Sequence, residues 1–437
     1  MSTTAIVLAA GFGTRMKSAL PKTLHKIAGR PMLHHLLASC GEVFDRIVVV
    51  IGPDMDIVAA AAAPHQVVIQ HDRLGTAHAA LQAEALFGDG DVAVLYADNP
   101  LIKPATLRRL IERRAEGDAA LALLAMRPAD PAKYGRVLTD CGYVSRIVEY
   151  ADATPDERAI TLCNAGVLCA SATQMRDWLK RVRNDNSKGE FYLTDLVTLA
   201  REDGGNVAAV EAPFSELRGV NSRAELAEAE QAVQDDLRRA AMDNGATITL
   251  PQTVCFSWDT VLGRDVTVEP NVVFGPGVTV EDDVQIRAFS HLEYCHVARA
   301  AIIGPYARLR PGTRVGVAAH VGNFVELKAA ELGDGAKANH LSYLGDVRIG
   351  PGTNIGAGTI TCNYDGFAKH RTEIGAGVFV GTHSTLVAPV SLADGSFTAA
   401  GSVITDNVPP DAMAFGRAKQ VNKSGLAAIF RASKRKT

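Results

Sequence analysis

The chain has 437 residues, 47% of them hydrophobic and 21% charged, with a formal net charge of −3. That length exceeds one ordinary core, so two domains are expected, and the near-neutral balance gives no reason to expect nucleic acid as a partner. Seven scattered cysteines without a C-x-x-C pair argue against a disulfide framework and for reduced thiols in the cytoplasm, and no apolar run approaches membrane-spanning length.

The first apolar run, residues 5–10, has the length and composition of a buried parallel strand, and no basic segment precedes it. It leads into Leu8-Ala9-Ala10-Gly11-Phe12-Gly13-Thr14-Arg15-Met16, with Pro21-Lys22 beyond. Gly11 and Gly13 allow a sharp turn that exposes backbone N–H groups to a polyanion. Arg15 and Lys22 put fixed positive charge where phosphate oxygens would sit, Arg15 toward leaving pyrophosphate. Against the plainer reading of an unliganded strand–helix turn, the pattern points to phosphoryl chemistry.

Residues 47–51 and 92–96 read as buried strands, alternating with helices over 31–40 and 105–116. The alternation predicts a doubly wound α/β sheet, in which ligands bind at the carboxyl ends of strands. Tyr96, Ala97 and Asp98 stand at such an end. Asp98 is placed to hold Mg²⁺, which takes few protein oxygens and shares substrate phosphates; the alternative is a helix N-cap ahead of Pro100.

A linker helix is expected over 222–244. Ser222 and Glu225 have capping-box spacing, Leu226, Val233, Leu237 and Ala240 share a face, and Gly245 ends it. Beyond about residue 250 the pattern becomes a six-residue aliphatic period, the signature of a parallel β-helix. It runs Leu262, Val268, Phe274, Val280, Ile286, Leu292, then resumes at Ile303, Leu332, Ile349 and Ile374. Each hexapeptide forms one side of a triangular coil, with its aliphatic residue inward. Between Thr361 and Ile374 the period breaks, so about seven residues, including Cys362-Asn363-Tyr364-Asp365-Gly366, leave the coil as a candidate site loop.

One solenoid flank still exposes apolar surface, so self-association is expected. His340, two positions after inward Ala338, should point off the coil, and an imidazole suits a general base. His291, His296, His320 and His383 give no sign of imidazoles converging on a metal. Lys434-Arg435-Lys436 reads as a solvated tail.

Over essentially its whole length the chain resembles the bacterial bifunctional N-acetylglucosamine-1-phosphate uridylyltransferases fused to glucosamine-1-phosphate N-acetyltransferases. The L-A-A-G-x-G-T-R-M run with its downstream P-K is general to sugar nucleotidyltransferases. More specific are Ile355-Gly356-Ala357-Gly358-Thr359-Ile360-Thr361-Cys362-Asn363-Tyr364-Asp365-Gly366 and Gly322-Asn323-Phe324-Val325-Glu326-Leu327-Lys328. The resemblance implies a Rossmann-like uridylyltransferase domain over 1–221 and a linker helix over 222–245. A left-handed β-helix acetyltransferase domain with a C-terminal arm follows over 246–437. It also implies a cytoplasmic homotrimer without membrane insertion, its acetyl site built where subunits meet. Acetyl-CoA would acetylate glucosamine 1-phosphate, and the product would attack UTP with Mg²⁺ to give UDP-N-acetylglucosamine and pyrophosphate.

By the same resemblance Leu8, Ala9, Ala10, Gly11, Lys22, Gln70, Gly75, Thr76, Tyr96, Ala97 and Asp98 line the UTP pocket, and Asn221 is the second metal ligand. Tyr134-Gly135-Arg136, Glu149 and Asn164 contact the sugar, although Glu149 alone reads equally as a surface carboxylate. Arg310, Lys328, Tyr343 and Asn354 bind glucosamine 1-phosphate. Ala357, Asn363, Tyr364, Thr382, Ala400 and Arg417 take acetyl-CoA, with His340 as base. Ala97, Ala165 and Thr382 depart from the residues usual in the family, and Ala97 is expected to place a methyl near the nucleotide. The competing readings are a monofunctional nucleotidyltransferase with a structural β-helix and a hexapeptide scaffold with a degenerate transferase domain. His340 argues against the first, and intact Arg15, Lys22, Asp98 and Asn221 against the second.

Overall fold

The N-terminal apolar run forms the strand Thr3–Leu8 inside a nine-stranded sheet, ending two residues earlier than the run itself. The computed structural model describes residues 2–131, 134–186 and 188–435. The chain separates into two units, Met1–Asp235 and Asp236–Thr437.

In the first unit the main sheet runs Val207–Glu211, Leu121–Met126, Cys163–Ser171, Asp91–Tyr96, Thr3–Leu8, Arg46–Ile51, Gln66–Ile69. Neighbours are parallel except Cys163–Ser171, which is antiparallel to both flanking strands. Periodicity does not separate the two cases, because a strand buried on both faces reads as one apolar run in either direction. Side chains alternate across each strand, so Ala5 and Val7 pack with Leu33 and Leu36 while Ile6 and Leu8 pack with Phe87 and Trp178. Burying each large aliphatic here contributes about 1.5–3 kcal/mol.

Register then places the site. Leu8 pairs with Tyr96 and with Val50, so the glycine loop and Asp98 leave the sheet beside each other.

The helix Arg223–Asp243 starts as its sequence predicts. Glu225 N donates to Ser222 Oγ at 3.2 Å, and Ser222 N donates back to Glu225 Oε2 at 2.9 Å. The same carboxylate accepts from Asn221 N at 2.6 Å, so the cap also fixes the residue ahead of it. Ser222→Ala should cost about 1 kcal/mol, read as a lower midpoint for the first unfolding transition in urea. An unmoved midpoint would show that the cap adds nothing.

The second unit is a left-handed parallel β-helix. Ten short strands from Thr247–Ile248 to Met413–Ala414 stack as one side. The other two sides merge into a 14-stranded sheet, because Glu326–Leu332 and Tyr343–Ile349 continue round a corner. Hexapeptide positions such as Val268, Phe274, Ile286, Leu309, Ala338, Ile355 and Leu392 fill one continuous apolar core; Leu262, at its start, is half-buried.

Outside that core Phe289, Tyr306 and Phe324 stack along one edge, at centroid distances of 4.9 and 5.2 Å, with a face to solvent. The terminal helix Leu426–Lys434 exposes Leu426, Ile429 and Phe430. Lys434 and Arg435 are exposed, as a solvated tail requires, and Lys436 lies outside the described residues. Among the described residues no helix is long and apolar enough to cross a membrane.

Candidate active sites

Two adjoining cavities open at the carboxyl ends of the first unit's strands, sharing Thr76, Tyr96, Asp98 and Glu190 in their walls. The smaller, about 340 Å³, is lined by Leu8, Ala9, Ala10, Gly11, Lys22, Gln70 and Gly75. The larger, about 500 Å³, is lined by Tyr134, Gly135, Glu149, Asn164 and Asn221. Asp98 therefore stands at the junction.

Cations from the glycine loop meet it there. Lys22 Nζ lies 2.5 Å from Asp98 Oδ2 and donates to Asn221 Oδ1 at 3.0 Å. Arg15 Nη2 donates to the same Asn221 oxygen at 2.9 Å. Gly13 makes this possible: its φ is +65°, and a Cβ would overlap the Lys22 stem. Asp98 caps no helix, since the next one begins at Pro104 behind Lys103. Asn221 caps none either, because Ser222 takes that role.

The larger cavity holds carboxylates at a cost. Burial raises the pKa of Glu149, against the opposing charge of Lys188, so Glu149 is not a freely solvated surface acid. Burial also pushes Asp195 nearby up to about 6. Gln70 is 3% exposed, and its amide nitrogen donates to the Gly75 carbonyl at 3.1 Å.

Two expectations fail at the level of side chains. Ala97 is 0% exposed, so its methyl packs in the core rather than facing the nucleotide cavity, and its N–H donates to the Leu8 carbonyl at 3.0 Å. Arg136 is 2% exposed and bonds the carbonyls of Pro131, Tyr134 and Arg158, which makes it a backbone clamp rather than a sugar contact.

In the second unit His340 is exposed, and its Nδ1 lies 2.8 Å from Asn323 Oδ1, one coil earlier. An amide oxygen only accepts, so Nδ1 is the donor, and in the neutral imidazole Nε2 is then the nitrogen with the free lone pair. Backbone bonds extend this corner upward. Gly358 N donates to the His340 carbonyl, His383 N to Ala357, and Gly401 N to Thr382. Asn323, His340, Ala357, Thr382 and Ala400 thus follow one another on successive coils of one edge, and Arg417 is exposed beyond them.

A second cluster occupies the merged sheet. Arg310 Nη1 pairs with Glu326 at 2.8 Å, and Lys328 sits in register with Gly345, two residues past Tyr343. The neighbouring side chain of Lys369, through a hydrogen bond and its charge, lowers the pKa of Lys328. Buried Asn363 donates to the Asp346 carboxylate, while Tyr364 projects into solvent from the excursion loop. Asn354 does not join this cluster. It lies on the ten-stranded side, beside Lys337 and Phe379.

Residues 5–186 match the MobA-like NTP transferase domain, and residues 259–294 match the bacterial transferase hexapeptide (six repeats). The chain is 66% identical to the Bifunctional protein GlmU of Gluconacetobacter diazotrophicus, with 99% of this chain and 95% of that one covered. It is 64% identical to the Granulibacter bethesdensis protein of that name (98% and 96% covered) and 63% to that of Acidiphilium cryptum (100% of each). The chain belongs to the bifunctional GlmU family. Similarity to GlmU proteins covers both site-bearing units, not one half alone.

Several residues of these candidate sites have no counterpart in the sequence expectations: Lys188, Glu190 and Tyr192 around the larger cavity, and Asn323, Asp346 and Lys369 on the β-helix. Asn323 and Lys369 carried a readable signal, one in the Gly322–Lys328 motif and the other in the loop that breaks the hexapeptide period. The remainder come from segments with no motif of their own.

Proposed function

We propose that this chain makes UDP-N-acetylglucosamine in two transfers, one in each unit, and that the residues above divide between them. The observation that carries the reading is the presence in one chain of two separate clusters, each supplied for a different transfer. One is the Lys22–Asp98–Asn221 junction between adjoining cavities; the other is the Asn323-oriented His340 on the β-helix whose merged sheet carries Arg310 and Lys328.

At the β-helix, His340 Nε2 takes a proton from the amine of glucosamine 1-phosphate as the nitrogen attacks the acetyl-CoA carbonyl carbon. The N–C bond forms, the C–S bond breaks, and the proton leaves with the coenzyme A thiolate. Arg310, Lys328 and Lys369 neutralise the sugar phosphate. Ala357, Thr382, Ala400 and Arg417 offer a small-residue edge ending in a cation, suited to the pantetheine arm and phosphates of the coenzyme. Asn354, on a different side of its own chain, is best used by a neighbouring copy. The uncovered aromatic edge and the exposed terminal helix favour such assembly, which we take to be a homotrimer.

At the first unit, N-acetylglucosamine 1-phosphate attacks the α-phosphorus of UTP, and the bond to the β-phosphate breaks. Gln70 and Gly75 flank the base, while Glu149 and Asn164 hold the sugar. Arg15 and Lys22 turn from Asn221 and Asp98 to the triphosphate and the departing pyrophosphate. Oxygen donors from Asp98 and Asn221 already converge on one cation, a donor set that suits Mg²⁺. When bound, the metal supplies charge neutralisation on the phosphate oxygens. Such substrates place the enzyme in the cytoplasm.

Supplying each half-reaction separately tests the assignment. Purified protein should release coenzyme A from acetyl-CoA with glucosamine 1-phosphate, and pyrophosphate from UTP with N-acetylglucosamine 1-phosphate. Absence of the first would leave a monofunctional nucleotidyltransferase.

A further inference from the structure

Arg73 follows the strand Gln66–Ile69 and stands half-buried in the wall of the smaller cavity, without a role in the transfer described above. Its guanidinium is held on several sides. Cζ lies 3.6 Å from the centroid of the Phe12 ring, and Nε donates to the Ala10 carbonyl at 2.8 Å. Nη2 approaches Met55 Sδ at 4.0 Å. The same group closes on Gly52, where a Cβ would overlap Nη2.

Both loop contacts flank Gly11. Phe12 is 62% exposed and precedes a left-handed glycine, so the turn has little packing of its own to hold it. A planar cation on the ring and a charged donor on the preceding carbonyl replace that packing from across the cavity.

We infer that Arg73 is a positioning residue for the nucleotide. It grips the glycine loop at Ala10 and Phe12 and keeps it in the shape that receives UTP, so that binding does not have to order a glycine-rich segment. The inference rests on the reading of this cavity as the UTP site. It requires a guanidinium: lysine carries the charge but has neither the flat face for Phe12 nor an Nε directed at Ala10.

The test uses the full chain with UTP and Mg²⁺, following kinetics of pyrophosphate release and calorimetric UTP binding. Arg73→Gln should raise the KM and the Kd for UTP about tenfold, the joint loss of a cation–π contact and a charge-assisted hydrogen bond, with kcat close to the parent value. Arg73→Lys should not rescue. Phe12→Ala, an exposed position that leaves the core untouched, should raise the KM in the same direction, and adding Arg73→Gln to it should raise it by much less than the single changes multiplied.

A parent-like UTP KM in Arg73→Gln or Phe12→Ala overturns the inference, as does full rescue by lysine, since charge alone would then be acting. Lys22→Gln separates the two layers. If it leaves uridylyl transfer intact, the cavity reading fails; if it cripples transfer while Arg73→Gln does not, only the role of Arg73 fails.

Discussion

His340→Ala is expected to lower acetyl transfer by about a thousandfold while uridylyl transfer stays at the parent rate, because removal of a general base typically forfeits that order of catalysis. The geometry makes the substitution clean. His340 contributes to the coil through its backbone carbonyl, which accepts from Gly358 and survives in alanine. Its ring is exposed and touches the fold through the 2.8 Å contact to Asn323. Folding should therefore be preserved, and what disappears is one oriented Nε2. Coenzyme A thiol release and pyrophosphate release on one preparation give the two readouts. Acetyl transfer surviving within about tenfold would remove His340 from the base role. Loss of both activities would refute separate sites.

The β-helix was legible because its period is strict and its inward residues are fully buried, from Val268 to Leu392. Where strands turn a corner, as at Glu326–Leu332, the same inward positions recur, and periodicity alone does not tell which side a residue occupies. Asn354, grouped with Arg310, Lys328 and Tyr343 by family resemblance, stands on another side of its own chain. The α/β sheet was legible in its strands but not in the reversed Cys163–Ser171, whose burial is the same in either direction.

Sites followed a similar rule. Lys22 and Asp98 stood out as candidates because one follows the glycine-loop motif and the other a strand end. Asn221 is 199 residues from Lys22 in the chain, and nothing local to it distinguishes a ligand from a helix cap. Arg73 was hidden for a further reason: its partners are a carbonyl and a ring face, neither of which leaves a mark in its own segment. Ala97 shows the opposite case: it stands between Tyr96 and Asp98, which line the cavities, yet its own side chain is buried in the core.

Asp98→Asn should reduce uridylyl transfer by about a hundredfold to a thousandfold, the scale seen when one electrostatic stabiliser is taken from a phosphoryl- or acyl-transfer site. Asparagine keeps the volume and one oxygen, so both cavity walls persist. The change is confined to charge. Lys22 Nζ, 2.5 Å from the carboxylate with only 12% of its side chain exposed, would keep the neutral Asn221 oxygen as its named partner. The anionic donor that would hold a divalent cation at these oxygens is gone. Raising Mg²⁺ should therefore fail to restore pyrophosphate release at concentrations that saturate the parent enzyme. Acetyl transfer, which uses none of these groups, should be unaffected. Parent-like uridylyl turnover at the parent's Mg²⁺ requirement would mean that the metal is held elsewhere. In that case the Lys22–Asp98 pair would serve only to close the loop onto the sheet.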